Sequence, residues 1–119
     1  MKIYKKNNIN KKGLKAINFE KHVMQKAKHN TIIELLDCFE DEKYITFVMD
    51  QLSIDLRDML EDSNVPLPEE IVKVMFKEML TAVEYIHSIG FIHRDIKLEN
   101  FLIGSDINDI KLIDFGLSV

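Results

Sequence analysis

Features that direct a protein toward secretion or a membrane are absent from these 119 residues. Cysteine occurs once, as Cys38, so no disulfide can form within the chain, and a buried thiol in a reducing compartment is the expected state. No apolar run approaches the roughly 20 residues that span a bilayer. The start of the chain also lacks the apolar segment of a signal peptide. We therefore expect an intracellular, cytoplasmic protein that does not bind membranes.

An excess of positive charge is also absent. The formal net charge is -4, which gives no global electrostatic reason to bind nucleic acid. Tryptophan is missing, yet 46% of the residues are hydrophobic, which is enough for the core of one small domain covering residues 1–119. The segment 5–12 is rich in lysine and asparagine, and it predicts a solvated loop, with a basic docking patch as the alternative.

The first half of the chain contains one helical pattern and one pair of strand patterns. Apolar periodicity predicts a helix from about residue 14 to residue 28, with a polar triplet ending it. Two β-rich runs, at 32–39 and 44–49, flank an acidic turn. That arrangement predicts an antiparallel hairpin.

The second half contains the strongest helical pattern. Pro68 suits the first turn of a helix, and Glu69 and Glu70 follow at its positive end. Apolar residues then recur at helical spacing until Gly90, which is expected to stop the helix. Short β-like pieces separated by polar turns come next, at 91–92, 101–103 and 110–113.

Two short motifs carry the chemistry. A His-Arg-Asp-x-Lys-x-x-Asn pattern occupies residues 93–100, and Asp-Phe-Gly occupies residues 114–116. Phosphoryl transfer requires a group that orients the attacking hydroxyl, cations that shield the phosphates, and oxygen ligands that hold those cations. Asp95 can accept the hydroxyl proton, and Lys97 can place a positive charge at the transferring phosphate. Both motifs together predict a site of phosphoryl transfer.

The same motifs predict a magnesium site. Asn100 offers a neutral oxygen and Asp114 a charged one, and hard oxygen ligands are those that Mg²⁺ prefers. Gly116 frees the backbone two residues after the metal ligand. His93 is an alternative ligand, but no second histidine or cysteine lies at ligand spacing, which favours a packed core histidine.

On these motifs the chain resembles the eukaryotic-type protein kinases, and Lys97 matches the serine/threonine form of their catalytic loop. The resemblance implies an α+β fold, ATP and Mg²⁺ as cofactors, and a serine or threonine hydroxyl of a protein as acceptor. Residues 1–52 are expected to form part of the small lobe (strands 3–5 and helix αC) and the hinge. Residues 53–119 are expected to form the start of the helical large lobe, with the catalytic loop and Asp-Phe-Gly.

The resemblance also assigns residues to an ATP site. Lys2 matches the lysine that anchors ATP, and Glu20 matches its partner on helix αC, because their spacing resembles that in cyclin-dependent kinases. The remaining assignments are Met49 as gatekeeper, Asp50, Gln51 and Leu52 as the hinge, and Leu102 beneath the adenine ring. A stacked apolar column that aligns the two lobes is matched by Met24, Leu35, His93 and Phe115.

The resemblance is incomplete at both ends of the sequence. Only Met1 precedes Lys2, so a Gly-rich loop is not among these residues, and neither is most of the activation segment. We expect a truncated Ser/Thr kinase domain that is inactive by itself. The alternative is a non-catalytic kinase-like fragment that binds a nucleotide or a partner, and a protein partner is expected to cover exposed apolar surface. The kinase subgroup stays open, since separate segments resemble casein-kinase-I-like, calmodulin-dependent and cyclin-dependent enzymes.

Overall fold

A three-stranded antiparallel sheet forms the first part of the computed structural model, which describes residues 1–119. Strand β1 (Lys2–Lys5) lies at one edge, β3 (Tyr44–Met49) in the centre and β2 (Leu35–Glu40) at the other edge. The predicted hairpin is therefore confirmed, although its first strand begins three residues later than the pattern indicated. Residue 32 instead forms an isolated bridge to the other half of the chain.

Helix α1 (Lys11–Lys26) packs on one face of this sheet. It begins three residues before the predicted start because the Asn10 side chain caps it, accepting a hydrogen bond from the backbone of Gly13 at 2.8 Å. Ala27 already has an extended backbone, so the helix ends two residues earlier than predicted. The buried face carries three apolar side chains and one carboxylate: Ile17, Val23, Met24 and Glu20.

Helix α3 (Glu69–Ser88) confirms the strongest helical prediction. Pro68 lies at the N-cap and not within the first turn, and Glu69 and Glu70 follow it. After the helix, Gly90 adopts a positive φ of 87°, a conformation that side chains with a Cβ avoid. One face of α3 packs against the second sheet through β6.

The second sheet is small and antiparallel, in the order β4 (Ile54–Asp55), β5 (Phe101–Ile103) and β6 (Ile110–Leu112). Two of the short strands were predicted, but the piece at 91–92 is not a strand. It is instead linked to the chain end by two backbone hydrogen bonds between Ile92 and Val119. A short helix α2 (Leu56–Asp62) was not predicted, and Asp55 caps it by accepting from Asp58 at 2.9 Å.

One apolar core connects the two sheets, so the chain is an α+β fold with a cleft between two lobes. Backbone hydrogen bonds join residues 31 and 33 to Leu112 across the lobes, at 2.8 and 3.1 Å. Cys38, expected to be buried, is only half-buried near the edge of the first sheet. None of the helices is both long and apolar enough to cross a bilayer.

Candidate active site

The loop between α3 and β5 is held in place by His93. The His93 side chain is 2% exposed, and its Nε2–H donates to the carbonyl of Ile113 at 2.8 Å. Its Nδ1 accepts from the backbone of Asp95 at 3.2 Å, and its ring meets the edge of Phe115 at 5.2 Å between centroids. Both nitrogens are therefore occupied within the protein, which agrees with a core histidine and not with a metal ligand.

The carboxylate of Asp95 is surrounded by donors from its own loop. Its Oδ2 lies 3.1 Å from Lys97 Nζ and accepts from Asn100 Nδ2 at 3.0 Å. The hydrogen bond from Lys97, followed by that from Asn100, lowers the pKa of Asp95 below its ordinary value. The same contact raises the pKa of Lys97. Asp95 is therefore an anion and Lys97 a cation at neutral pH, and both side chains reach solvent.

Asn100 and Asp114 lie at the ends of neighbouring segments. The backbone N–H of Ile113 donates to the Asn100 carbonyl at 2.9 Å, which fixes the position of Asp114 relative to the loop. Asn100 Nδ2 is already used by Asp95, so its Oδ1 is free to act as a ligand. Asp114 has a positive φ of 61°, and its Oδ1 accepts from Gly116 N at 3.3 Å. The remaining amide and carboxylate oxygens fit the donor set that Mg²⁺ prefers.

A cavity of about 420 Å³ lies between the first sheet and the second, within the size range of cofactor sites. All seven residues that the resemblance assigned to nucleotide binding line it, together with Asp114: Lys2, Glu20, Met49, Asp50, Gln51, Leu52 and Leu102. Asp95, Lys97 and Asn100 are not in its wall. The four members of the predicted apolar column are buried: Met24, Leu35, His93 and Phe115.

Lys2 and Glu20 form an ion pair in the wall of this cavity. Lys2 Nζ lies 2.7 Å from Glu20 Oε1 and 3.2 Å from Asp114 Oδ1, although 112 residues separate Lys2 from Asp114. Glu20 is 2% exposed, so its charge needs partners within the protein. Burial by itself would lower the pKa of Lys2, but the hydrogen bond and the negative charge of Glu20 outweigh burial and raise it.

Two residues that contact the site, Tyr4 and Arg57, were not among the predicted site residues. The Tyr4 hydroxyl donates to the second oxygen of Glu20 at 2.5 Å. Arg57, on the unpredicted helix α2, donates to Glu99 in the loop between α3 and β5 at 2.8 Å. The period-two alternation of a strand could have revealed Tyr4, because it places residues 2 and 4 on the same face. No comparable signal was available for Arg57, which meets Glu99 only in the folded chain.

The fold and site thus define a small α+β domain with a cofactor-sized cleft near the loop of residues 93–100. The family model described as "Protein kinase domain" matches residues 1–119, and the chain belongs to this family.

Three relatives illustrate the match. A probable serine/threonine-protein kinase of Dictyostelium discoideum is 38% identical over 98% of this chain and 25% of its own length. The serine/threonine-protein kinase TIO of Arabidopsis thaliana is 37% identical over 99% of this chain and 9% of its length. The CBL-interacting serine/threonine-protein kinase 16 of Arabidopsis thaliana is 36% identical over 99% of this chain and 25% of its length. The chain thus spans a quarter or less of the length of these relatives.

Proposed function

We propose that this chain carries the catalytic centre of an ATP-dependent protein kinase that phosphorylates serine or threonine. The observation that carries the proposal is the convergence of Lys2, Glu20 and Asp114 on one cavity from opposite ends of the chain. A cation beside two carboxylates is suited to anchor a phosphate chain while a metal ligand remains close by.

The loop residues are proposed to act on the acceptor hydroxyl. Asp95 is held as an anion by Lys97 and Asn100, so it is available to orient a serine or threonine hydroxyl and to accept its proton. Lys97 is exposed enough to place its charge near the transferring phosphoryl group. Its short contact with Asp95 keeps the two side chains together before any substrate binds.

Asn100 and Asp114 are the proposed magnesium ligands, through Asn100 Oδ1 and the Asp114 carboxylate. When bound, Mg²⁺ neutralises negative charge on the phosphates and orients them. The protein contributes a fixed relation between the two ligands, because the Ile113–Asn100 backbone hydrogen bond links their segments.

The proposal is tested on the full-length protein with labelled ATP, Mg²⁺ and generic basic, acidic and neutral peptides. Asp95→Asn and Asp114→Ala should each abolish transfer. Asp62→Asn, which changes an exposed aspartate at the end of α2, is the matched control and should leave transfer unchanged. Activity that survives Asp95→Asn would contradict the proposed role, and phosphate found predominantly on tyrosine would overturn the serine/threonine assignment.

A second proposal concerns residues 1–119 as an isolated polypeptide. No Gly-rich segment is present among them to cover the phosphates, so positioning of the nucleotide is expected to be too loose for transfer. We propose that this polypeptide is inactive and acts, if at all, by binding. The same assay decides this, because turnover by the isolated polypeptide that disappears in Asp95→Asn would show that these residues suffice.

The binding alternative has one observation in its favour. Val72, Phe76 and Leu80 follow each other at four-residue steps on α3, and each side chain is about half exposed. An exposed apolar stripe of this kind marks a surface that further protein normally covers. We also propose, from the sequence alone, that the protein is intracellular and that it binds neither membranes nor nucleic acid.

A further inference from the structure

Tyr4 contacts the same carboxylate as Lys2. The two residues are two positions apart on β1, and because side chains alternate between the faces of a strand, both point toward α1. Lys2 Nζ donates to Glu20 Oε1 at 2.7 Å, and the Tyr4 hydroxyl donates to Oε2 at 2.5 Å. One strand therefore satisfies both oxygens of a carboxylate that is 2% exposed.

The position of the Tyr4 hydroxyl is set by packing. The Tyr4 ring meets the ring of Phe47 edge to face, with centroids 5.6 Å apart and planes at 77°. Phe47 is fully buried in the central strand, so it fixes the ring of Tyr4 against the sheet. Lys2 Nζ also lies 5.2 Å from the centre of the Tyr4 ring.

Glu20 separates two cavities. It lines the cavity of about 420 Å³ together with Lys2, and a second cavity of about 310 Å³ together with Tyr4 and Gly116. A side chain at position 116 would lie 3.7 Å from Glu20 Oε2, which shows that this oxygen faces the second cavity. Without the phenol, Oε2 would have no partner in the protein, and the carboxylate would gain by turning toward water in the second cavity.

We propose that Tyr4 is a positioning residue for the nucleotide site: its hydroxyl holds Glu20 in the orientation that keeps Lys2 directed into the larger cavity. The proposal rests on the proposed ATP-binding function. Burial, together with the hydrogen bond to Glu20, raises the pKa of Tyr4 to about 12. The hydroxyl is therefore protonated, and remains a donor, throughout the neutral range.

The test compares Tyr4→Phe with Tyr44→Phe in the full-length protein. Both substitutions remove one phenolic hydroxyl from the same sheet, but Tyr44 is exposed and its hydroxyl makes no hydrogen bond within the protein. Calorimetry with ATP and Mg²⁺ should show binding weakened about three- to tenfold by Tyr4→Phe, less than the full effect of a hydrogen bond to a charged group, because Tyr4 acts on the nucleotide only through Glu20 and Lys2. Tyr44→Phe should bind like the unchanged protein.

A second measurement does not depend on nucleotide. Trace acylation of lysines, followed by mass spectrometry, should label Lys2 several-fold faster in Tyr4→Phe, because the amine is less firmly held by Glu20. Labelling of the other lysines serves as the internal reference. If the unchanged protein does not bind ATP, the proposed function fails, whereas the labelling rate of Lys2 still decides whether Tyr4 secures the ion pair.

A double-mutant cycle separates positioning from general stability. If Tyr4 acts through Glu20, then Tyr4→Phe added to Glu20→Gln should cause no further loss of nucleotide affinity. Fully additive losses would overturn the proposal, since Tyr4 would then act independently of Glu20. Unchanged Lys2 labelling and unchanged affinity in Tyr4→Phe would also overturn it, and would mean that water replaces the hydroxyl.

Discussion

Replacing Lys2 by methionine tests the register of β1 and the energetic role of the buried carboxylate together. Methionine keeps most of the length of the side chain but removes its charge. Glu20 would then retain the hydrogen bond from Tyr4 and lose its cationic partner 2.7 Å away. Two nearby lysines provide controls, because Lys5 forms no ion pair and Lys6 pairs with the exposed Glu40 at 2.8 Å.

The expected magnitude follows from burial. Removing one partner of a fully buried ion pair costs about 3–5 kcal/mol. The Lys2 side chain is 34% exposed, so water screens part of this interaction, and we expect about 2 kcal/mol for Lys2→Met. Since its pKa is raised, Lys2 is a cation at neutral pH and this contribution is fully present there. Lys6→Met should cost less than about 1 kcal/mol, and Lys5→Met almost nothing.

Hydrogen exchange followed by mass spectrometry is the suitable assay in a full-length protein, because it reports opening of individual segments. A loss of about 2 kcal/mol corresponds to roughly 30-fold faster exchange in α1 wherever local opening controls exchange. Nucleotide affinity should fall in Lys2→Met as well. If Lys5→Met accelerated exchange and impaired nucleotide binding while Lys2→Met did neither, then the strand register and the assignment of Lys2 would both be wrong.

Three further predictions follow from individual contacts. Because the folded protein raises the pKa of Tyr4 to about 12, stability from its protonated hydroxyl, which faces Glu20 and Lys2, should be complete below pH 10 and decline as the pH rises toward 12. The melting temperature should therefore fall less steeply over this range in Tyr4→Phe than in the unchanged protein. If the two plots of melting temperature against pH were parallel, they would contradict the raised pKa of Tyr4. Tyr85→Phe removes a hydroxyl that donates to the carbonyl of Lys28 and accepts from its N–H. The loss of about 1 kcal/mol should make the backbone amides of residues 27–34 exchange hydrogen about fivefold faster, with Tyr44→Phe as control. Finally, the isolated polypeptide of residues 1–119 should bind a hydrophobic dye, and Phe76→Glu should reduce that binding more than Lys77→Gln; equal effects would show that the stripe on α3 is not the dye site.

The sequence was sufficient to predict a helix where several local signals indicated the same boundaries. Helix α3 was predicted almost to the residue because Pro68, Gly90 and a 3.6-residue apolar period all indicate the same boundaries. Helix α2 was missed because seven residues give too few turns for a period to emerge, and the cap at Asp55 was the only local signal. The early start of α1 depended on the cap at Asn10, which lies within a polar segment that resembles a loop.

The contacts of the site likewise divide into those that a local motif predicts and those that depend on the whole fold. Asp95, Lys97 and Asn100 lie within six residues of each other, so their proximity was predictable from the motif alone. The contact of Lys2 with Asp114 depends on the whole fold and was not predicted, since the resemblance to kinases paired Lys2 with Glu20 and the motifs gave Asp114 a separate role as a metal ligand. Tyr4 was overlooked because neither of the two motifs nor the resemblance assigned a role to its position. Its contact follows instead from strand alternation combined with the burial of Glu20.

Different forces hold the two parts of the site. The proposed metal ligands are tied by a backbone hydrogen bond and by the buried rings of His93 and Phe115, so their relative position is part of the core. The link from the first sheet to Asp114 is an ion pair between side chains that are 34% and 45% exposed, and such pairs contribute less than about 1 kcal/mol. Movement of the first sheet relative to Asp114 would therefore break the Lys2–Asp114 contact at little cost and leave the Lys2–Glu20 pair intact. Because Lys2 and Tyr4 both lie on β1, both donors to Glu20 would stay with it in such a movement.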